Sequence, residues 1–301
     1  AIGEQAPNSM SAHGSMINIA SGAAFRALPL RGVYSASKAG VAAWTAAWAL
    51  AWRERGLGLR AVAPGFILTA MTQNLAQQGA LNLSAAQQRI PLGRLGHVQD
   101  VADVVCWLSG LSPDVLQGQT LMVDGGSSSA AGACLPAAPH RLTDEMTSRP
   151  LRVAATVFGE FGYEVTQALS QCAGVSSAPS EPVSAPETIV VVLDDVEDWT
   201  SYIEEIQAIA QRCMGQDETP RYVAIHVVAR NCGGAAAQVK QASLHMWVRT
   251  LALELAPAGV RVNAIACGPN IAIGELAQGL AQLSGTAGRY VTAQSMDFGG
   301  A

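Results

Sequence analysis

One pattern occurs twice in this chain and limits what the chain can fold into. The segment Gly259-Val-Arg-Val-Asn-Ala-Ile-Ala-Cys-Gly268 matches Gly56-Leu-Gly-Leu-Arg-Ala-Val-Ala-Pro-Gly65 at a constant offset of 203 residues. Both segments have the apolar run and the terminal glycine that are typical of a buried strand. Upstream of each strand, apolar residues recur at the spacing of one helix stripe: Val41, Trp44, Trp48 and Trp52 in the first copy, and Leu244, Trp247, Leu251 and Leu255 in the second.

Two amphipathic helices could align in this way by chance. The matched strand behind each helix argues against chance, and so do the ends of the copies, Gly118-Gln-Thr and Ala293-Gln-Ser, which each lead to Gly-Gly. We therefore predict an internal duplication of an α/β unit. The predicted boundaries are residues 1–126 for the first unit, 127–150 for a linker rich in Ser, Ala, Gly and Pro, and 151–301 for the second unit.

The second unit has its own sequence of predicted elements. Apolar runs predict three of its strands and apolar periodicity predicts three of its helices. The strands are expected at 151–157, 190–193 and 222–228, the helices at 162–169, 204–212 and 240–256, and a loop at 176–186.

Three polar groups of the first unit stand at spacings that suit one proton transfer. Tyr34 and Lys38 are four residues apart, so on a helix they share one face. An ammonium beside a phenol favours the phenolate, which lets a tyrosine act as acid or base near neutral pH. Ser21 follows a predicted strand at 16–20, and its hydroxyl could hold a substrate oxygen against the phenol. The alternative is a chance pairing of Tyr and Lys on a helix surface, and the motifs downstream argue against it.

Further motifs follow in order along the first unit: Pro64-Gly65 and Thr69 after the buried strand, Ile90-Pro-Leu-Gly-Arg-Leu-Gly96, Asp100-Val-Ala-Asp103 and Gly118-Gln-Thr-Leu-Met-Val-Asp-Gly-Gly126. With Ser21 and the Tyr34…Lys38 pair, this order resembles the short-chain dehydrogenase/reductase family, and in particular its 3-oxoacyl-carrier-protein reductases. The resemblance covers residues 1 to about 127. It implies an α/β fold with a Rossmann-like, doubly wound parallel sheet, present as one partial copy followed by a second, degenerate copy.

The resemblance also implies a chemistry. Ser21 would orient and polarise a carbonyl or alcohol, Tyr34 would be the general acid/base, and Lys38 would stabilise the phenolate and hold the nicotinamide ribose. The backbone and side chains of Pro64, Gly65, Ile67 and Thr69 would meet the nicotinamide of NAD or NADP. The reaction would be hydride transfer between that cofactor and a small-molecule ketone or secondary alcohol. The choice between NAD and NADP and the identity of the substrate stay open.

The first unit departs from the family before Ser21. The family begins with a strand, a Gly-rich turn and a helix that bind the dinucleotide, and no such pattern precedes Ser21 in this sequence. The family's Asn-Asn-Ala-Gly strand and its helix-borne catalytic Asn are also missing. We therefore expect the first unit to be the C-terminal half of a catalytic domain, truncated at its N-terminus.

The second unit lacks the residues of the proton transfer. The offset places Ala237 at the position of Tyr34, Gln241 at that of Lys38, and Ala272 at that of Thr69. Glu160 stands where the family's dinucleotide turn has its second glycine, and its carboxylate would repel a pyrophosphate. We predict that the second unit is non-catalytic and has no strong dinucleotide site.

We predict a structural role for the second unit, as an intramolecular pseudo-dimer partner of the first. Subunits of the family commonly pair through the catalytic helix. The predicted contact joins the helix at 34–54 and its three tryptophans to the helix at 240–256, through Met246, Trp247, Leu251 and Leu255. The alternative is that both stripes face their own sheets. Further oligomerisation is left open.

Composition argues against several classes of partner. A net charge of −5 and a pI near 5.5 argue against nucleic acid or an anionic membrane. No run approaches the roughly 18 apolar residues of a membrane-spanning helix, and no signal peptide is found, so we expect a cytoplasmic protein. The six cysteines and five histidines show no metal-ligand spacing, so no metal is assigned.

Two classes of function are weighed. The leading one is an oxidoreductase, or the C-terminal portion of one. The alternative is a non-catalytic scaffold or regulatory pseudoenzyme that is inactive as this chain. A third possibility is that another chain supplies the missing half in a hetero-complex. Upstream sequence with a Gly-rich strand–turn–helix would favour the enzyme.

Overall fold

The structure, a computed structural model, describes residues 10, 14–26, 31–130, 151–172, 175–176, 188–193, 200, 202–213, 223–230 and 233–299. Most of the predicted linker at 127–150 and of the predicted loop at 176–186 lies outside the described residues. Both therefore stay predictions.

The first unit is built on a parallel sheet of three strands in the order β1-β2-β3. The strands are β1 (Ser15–Ile19), β2 (Gly58–Pro64) and β3 (Thr120–Val123). The helices are α1 (Gly32–Arg53), α2 (Ala70–Gln77), α3 (Leu83–Gln87) and α4 (Val98–Ser109). These bounds confirm the predicted strands on either side of the helix that carries Tyr34 and Lys38.

The second unit has a parallel sheet of six strands in the order β5-β4-β6-β7-β8-β9. Its strands are β4 (Leu151–Phe158), β5 (Val175–Ser176), β6 (Thr188–Leu193), β7 (Val223–Arg230), β8 (Val260–Cys267) and β9 (Ser295–Phe298). Its helices are α5 (Gly159–Ser170), α6 (Ile203–Cys213), α7 (Ala235–Leu255) and α8 (Ile273–Ser284). Each predicted strand and helix is confirmed, although α5 begins three residues before the predicted 162 and α7 begins five before the predicted 240.

Side-chain alternation places helices on both faces of the second sheet. Along β6, Ile189, Val191 and Leu193 join one buried cluster with α6 and α7, while Val190 and Val192 join the other with α5 and α8. Strands buried on both faces belong to doubly wound sheets, because crossover helices cover each side. The predicted α/β, Rossmann-like fold is confirmed.

The bounds of the elements repeat between the two units. The first and last residues of α8 lie 175 positions after those of α4, and those of β9 lie 175 positions after those of β3. The starts of α7 and α1 differ by 203. The offset falls from 203 at α7 to 175 at α8, because the second unit has 28 fewer residues in the stretch where the first unit carries α2 and α3.

Two glycine contacts repeat at the same offsets. A Cβ on Gly65 would meet the Asp124 side chain at 2.6 Å and its Cα at 2.9 Å. A Cβ on Gly268, 203 positions later, would collide with the carbonyl of Gly299, which lies 175 positions after Asp124. In both units the chain after the last strand therefore crosses the end of the preceding strand at a point where only glycine fits.

A buried arginine in each unit holds the end of the last helix. Arg60 of β2 donates to the carbonyls of Leu108, at 3.2 Å, and Ser112. Arg261 of β8 donates to the carbonyls of Leu283, at 3.4 Å, and Gly288. Burial lowers the pKa of Arg60 to about 10, so its guanidinium stays charged at neutral pH and complements the negative end of α4. At the offset of 203, Arg261 corresponds to Gly58, which lies two residues from Arg60 on the same face of the strand. The two units therefore hold the end of the last helix with arginines at neighbouring, not identical, positions.

The prediction that the helices at 34–54 and 240–256 contact each other through their apolar stripes is wrong. Leu244, Leu251 and Leu255 of α7 are buried against the second unit's own sheet, and Met246 is 58% exposed. In the first unit the three tryptophans of α1 cluster with the adjoining strand residues Leu57 and Leu59. Each stripe therefore packs against residues of its own unit.

The two units meet instead through the last helix and last strand of each. Trp107 of α4 packs against Phe298 of β9, with ring centroids 6.5 Å apart, in a buried cluster that draws residues from both units. Gln119, just before β3, donates to the carbonyl of Asp297 at 3.0 Å and accepts from its N–H at 3.2 Å. The interface is therefore apolar at its centre and hydrogen-bonded along the two strand segments.

Candidate active site

The candidate site lies at the carboxyl ends of β1 and β2, which we call the carboxyl edge. The two strands are parallel with Ile19 opposite Val62, and the amide of Ala20 donates to the carbonyl of Val62 at 2.8 Å. Ser21 follows β1, and Gly65 follows β2, so both stand at this edge. In open parallel α/β sheets this is where ligands bind.

Ser21 is fixed by a turn of 3-10 helix that follows it. Its Oγ accepts from the N–H of Ala23 at 3.2 Å, and the serine backbone is extended as it leaves the strand. Because Oγ accepts in this bond, its own proton remains available to a substrate oxygen. The role predicted for this hydroxyl stays a prediction.

Lys38 joins α1 to the end of β1. Its Nζ donates to the carbonyl oxygen of Ile19 at 3.0 Å, two residues before Ser21. A second bond ties the same helix and strand, from Asn18 Nδ2 to Thr45 Oγ1 at 2.9 Å. Asn18 and Thr45 were not among the predicted site residues. The polar Asn18 inside an apolar strand was the available signal, since buried polar groups need partners.

Tyr34 lies in the first turn of α1, one helical turn before Lys38. Its side chain is 46% exposed, and its carbonyl accepts from the Ser37 hydroxyl at 2.7 Å. The phenol is thus open to an incoming ligand on the helix face that Lys38 shares. Ser21 and the Lys38 ammonium therefore lie at the carboxyl edge, and Tyr34 lies one helical turn before Lys38.

The segment after β2 presents backbone groups at the same edge. Ile67 forms a parallel bridge with Gly96, in which the neighbouring Leu68 N–H donates to the Gly96 carbonyl at 2.7 Å. In such a bridge the N–H and C=O of Ile67 itself point away from Gly96. The Ile67 carbonyl accepts from the Thr72 hydroxyl at 3.0 Å. The Ile67 N–H therefore points away from Gly96 at the carboxyl edge.

Thr69 caps the helix that follows. Its Oγ1 accepts from the Thr72 N–H at 3.2 Å, and Thr72 Oγ1 accepts from the Thr69 N–H at 2.8 Å, which completes a capping box for α2. The hydroxyl of Thr69 therefore has a structural partner as well as its predicted place beside the nicotinamide.

A buried ion pair holds the loop that supports Ile67. The Arg94 guanidinium grips both oxygens of the Asp100 carboxylate, at 2.6 and 2.9 Å, and the His97 N–H donates to the same carboxylate at 2.7 Å. Burial raises the pKa of Asp100, but the hydrogen bonds and charge of Arg94 outweigh burial and hold that pKa below its usual value. The carboxylate is therefore charged at neutral pH, and the loop ending at Gly96 is firmly positioned.

The second unit reaches this loop through Tyr290. Its hydroxyl donates to the Arg94 carbonyl at 3.0 Å, and the Arg94 guanidinium lies 4.4 Å from the centre of its ring. A Cβ on Gly96 would meet the Tyr290 ring at 2.7 Å, so the contact leaves no room for a side chain. Burial raises the pKa of Tyr290 well above its usual value, so its hydroxyl remains a donor.

The matching edge of the second unit carries different groups. Ile19 pairs with Val62 in the first sheet and Val228 pairs with Ile265 in the second, so the strand register places Arg230 where Ser21 stands. The Arg230 guanidinium lies 5.0 Å from the centre of the Phe161 ring. With Ala237 and Gln241 on α7, this edge has no hydroxyl, phenol or ammonium at the three positions.

Residues 2–128 match the family model described as enoyl-(acyl carrier protein) reductase. An uncharacterized short-chain type dehydrogenase/reductase of Sinorhizobium fredii is 39% identical over 111 residues, which are 37% of this chain and 20% of the relative. The 3-oxoacyl-(acyl-carrier-protein) reductase of Thermotoga maritima is 39% identical over 114 residues, 38% of this chain and 45% of the relative. The first unit is thus similar in sequence to the short-chain dehydrogenase/reductase family.

The match to the short-chain dehydrogenase/reductase family includes Ser21, Tyr34, Lys38 and the 64–69 segment, and it ends before β4. The chain spans less than half the length of these curated relatives. Among solved structures, ElxO with NADP bound is 28% identical, with a TM-score of 0.36, over 38% of this chain and 47% of that one.

Across the described ranges, no group of three or more His, Cys, Asp and Glu side chains could hold a metal ion. Among the helices that the structure describes, none is both long and apolar enough to span a membrane.

Proposed function

We propose that the chain acts in an NAD(P)-dependent oxidoreductase that interconverts a ketone and a secondary alcohol, with its proton-transfer centre in the first unit. The observation that carries the proposal is the Lys38 Nζ–Ile19 carbonyl bond of 3.0 Å, which sets the Tyr34 face of α1 against the strand end that leads to Ser21. The family relatives named as reductases and dehydrogenases support the same reaction class.

The residues of the carboxyl edge fit the nicotinamide end of such a cofactor. The outward Ile67 amide and the Thr69 hydroxyl would meet the carboxamide, and Lys38 would meet the ribose. Pro64 and Gly65 bring the chain to this position, with Gly65 pressed against Asp124. When bound, the cofactor supplies the hydride for the carbonyl carbon.

The protein's part is to hold the carbonyl and move one proton. The Ser21 hydroxyl donates to the substrate oxygen and holds it beside the phenol of Tyr34. In reduction the phenol gives its proton to that oxygen as the hydride adds to the carbon; in oxidation the phenolate takes the proton back. The Lys38 ammonium, one helical turn away, attracts the negative charge of the phenolate.

We further propose that the second unit is a degenerate copy that has no catalytic role and supports the first unit. The repeated element bounds and the Gly65/Gly268 contacts support the duplication. In this role Tyr290 contacts Arg94 and Gly96, and Gly96 forms the bridge to Ile67. In this arrangement the first unit contacts the second through α4 and the start of β3, and not through α1.

A steady-state assay tests the reaction. The full chain is incubated with NADH or NADPH and a panel of small ketones, and loss of the reduced cofactor is followed by absorbance. We expect turnover with wild type and with Tyr163→Phe, whose side chain on α5 is 66% exposed. Tyr34→Phe should lower kcat roughly 100-fold or more, since it removes the general acid. Equal rates for Tyr34→Phe and wild type would rule out the assigned acid, and no ketone-dependent oxidation by wild type would favour the scaffold alternative.

A further inference from the structure

A second cleft lies between the two units, with a volume of about 320 Å³. The first unit contributes residues after the turn that follows Ser21, from β3 and from the turn after β3. The second unit contributes residues from α7 and the start of β9. The polar lining consists chiefly of Arg26, Thr120, Ser128, Ser129, Arg249 and Ser295.

Two arginines, one from each unit, are held on one turn at this cleft. Arg26 Nη1 donates to the Ser127 carbonyl at 3.0 Å, and Arg249 Nη2 donates to the Ser129 hydroxyl at 3.1 Å. A guanidinium has five N–H donors, so each retains donors for a ligand. The Nε of Arg26 is buried and makes no hydrogen bond to any residue in the described ranges. A buried donor of this kind costs free energy unless a ligand or water satisfies it.

The positive charge of the two arginines is not balanced by the lining of the cleft. No Asp or Glu lines it, and neither arginine forms an ion pair with the described part of the chain. The nearby carboxylate of Asp124 already accepts from the N–H groups of Gly126 and Ser128. Because the described residues supply neither arginine with a counter-ion, the pair favours binding of an anion.

His245 adds no charge at neutral pH. It lies one helical turn before Arg249, and burial, with the Arg249 charge, lowers its pKa to about 4. The cleft therefore holds two positive charges over the range in which a phosphate group is negatively charged.

We propose that this cleft binds the phosphate group of a small phosphorylated molecule. Two guanidinium groups and several hydroxyls surround the space, and a tetrahedral phosphate has enough acceptor oxygens to meet donors from both units. The cleft is larger than a phosphate group alone, and Phe25 and Met122 give it an apolar wall for an attached organic part. The proposal does not depend on the hydride chemistry of the carboxyl edge.

Calorimetric titration of the full chain with inorganic phosphate, at constant ionic strength, tests the proposal. Wild type should bind one phosphate, and Arg26→Gln or Arg249→Gln should each weaken binding roughly tenfold or more. Arg55→Gln, which changes an exposed arginine after α1, should bind as wild type does. The site would be overturned if wild type showed no heat of phosphate binding, or if the variant that carries both Arg26→Gln and Arg249→Gln bound phosphate with unchanged affinity.

Two further measurements test the location of the site and its preference for phosphate. Ser295→Asp puts a carboxylate at the exposed rim of the cleft without changing either arginine, and it should abolish phosphate binding. If Ser295→Asp binds phosphate as tightly as wild type, the location is wrong. Acetate at the same ionic strength should bind at least roughly tenfold more weakly than phosphate; equal binding would contradict the phosphate assignment.

Discussion

Lys38 Nζ and the carbonyl oxygen of Ile19 lie 3.0 Å apart, and their hydrogen bond joins the face of α1 that carries Lys38 to the end of β1. Lys38→Gln removes the ammonium that we place beside the phenol and the ribose. We expect kcat to fall roughly 100-fold, as for other losses in acid–base catalysis, with a higher KM for the cofactor. Steady-state kinetics measure both.

Lys240→Gln is the matched control, because Lys240 lies on α7 next to Gln241, the position that corresponds to Lys38. It should leave both constants within about twofold of wild type, a change of under about 0.5 kcal/mol. Equal losses in the two lysine variants would mean that the effect is one of overall charge.

Gly65→Ala tests the close approach of the carboxyl edge to Asp124. The added Cβ would meet the Asp124 Cβ at 2.6 Å and Cα at 2.9 Å, so the backbone must move. We expect a loss of about 1–3 kcal/mol in the free energy of unfolding, measured in urea. Gly40→Ala is the comparison: nothing lies within 4 Å of its Cβ, and alanine in a helix should stabilise by about 0.5–1 kcal/mol. Equal stability of the two variants would contradict the packing.

Local residue spacing predicted the strands and the helix that carry the candidate site. The four-residue step from Tyr34 to Lys38 fixes a shared helix face, and the apolar runs before Ser21 and Gly65 fix two strands that end together. Apolar runs and periodicity likewise predicted the elements of the second unit, and the offset of 203 matched one of its helices and one of its strands to the first unit. These features depend on residues that are neighbours in the sequence.

The interface between the two units could not be predicted from local spacing, and the predicted contact between α1 and α7 was wrong. An apolar helix stripe such as that of α7 can face its own sheet or a partner, and the sequence does not distinguish the two. The contacts that join the units pair residues far apart, Gln119 with Asp297 and Arg94 with Tyr290. Arg230 as the counterpart of Ser21 also required the strand register, since β7 carries a different offset from α7.

His226 should make the protein sensitive to mild acid. Burial, with the charge of Arg261, lowers its pKa to about 3, and neither ring nitrogen is hydrogen-bonded within the described chain. An unfolded histidine takes up a proton below about pH 6.5, whereas the folded one stays neutral. The unfolded state therefore binds more protons between about pH 6.5 and 3, and stability falls as pH falls, by about 1.4 kcal/mol per unit.

His226→Leu removes both the unpaired nitrogens and this titration. We expect its free energy of unfolding to exceed that of wild type by about 1–3 kcal/mol at pH 7.5, with a larger difference at pH 5. Urea unfolding at the two pH values measures it. His245, whose pKa is also lowered, still titrates in the variant, so some acid sensitivity should remain. A difference that does not grow on acidification would contradict the buried neutral histidine.

Tyr290→Ala tests whether the second unit supports the first. The change removes the hydrogen bond to the Arg94 carbonyl and the ring that packs on Gly96. We expect a loss of about 3–5 kcal/mol in stability, as for other large core truncations, and a raised KM for the cofactor through Ile67. Urea unfolding and steady-state kinetics measure these effects. A destabilised variant with an unchanged KM would leave Tyr290 a structural residue only.

The central claim is that the Tyr34 centre of the first unit delivers the proton in a hydride transfer. The most direct measurement uses a reduced nicotinamide cofactor deuterated at the transferred position, a ketone that wild type reduces, and mass spectrometry of the alcohol formed. Wild type should place one deuterium on the carbinol carbon, and Tyr34→Phe should do so roughly 100-fold or more slowly. No deuterated alcohol from wild type, or equal rates for wild type and Tyr34→Phe, would contradict the account.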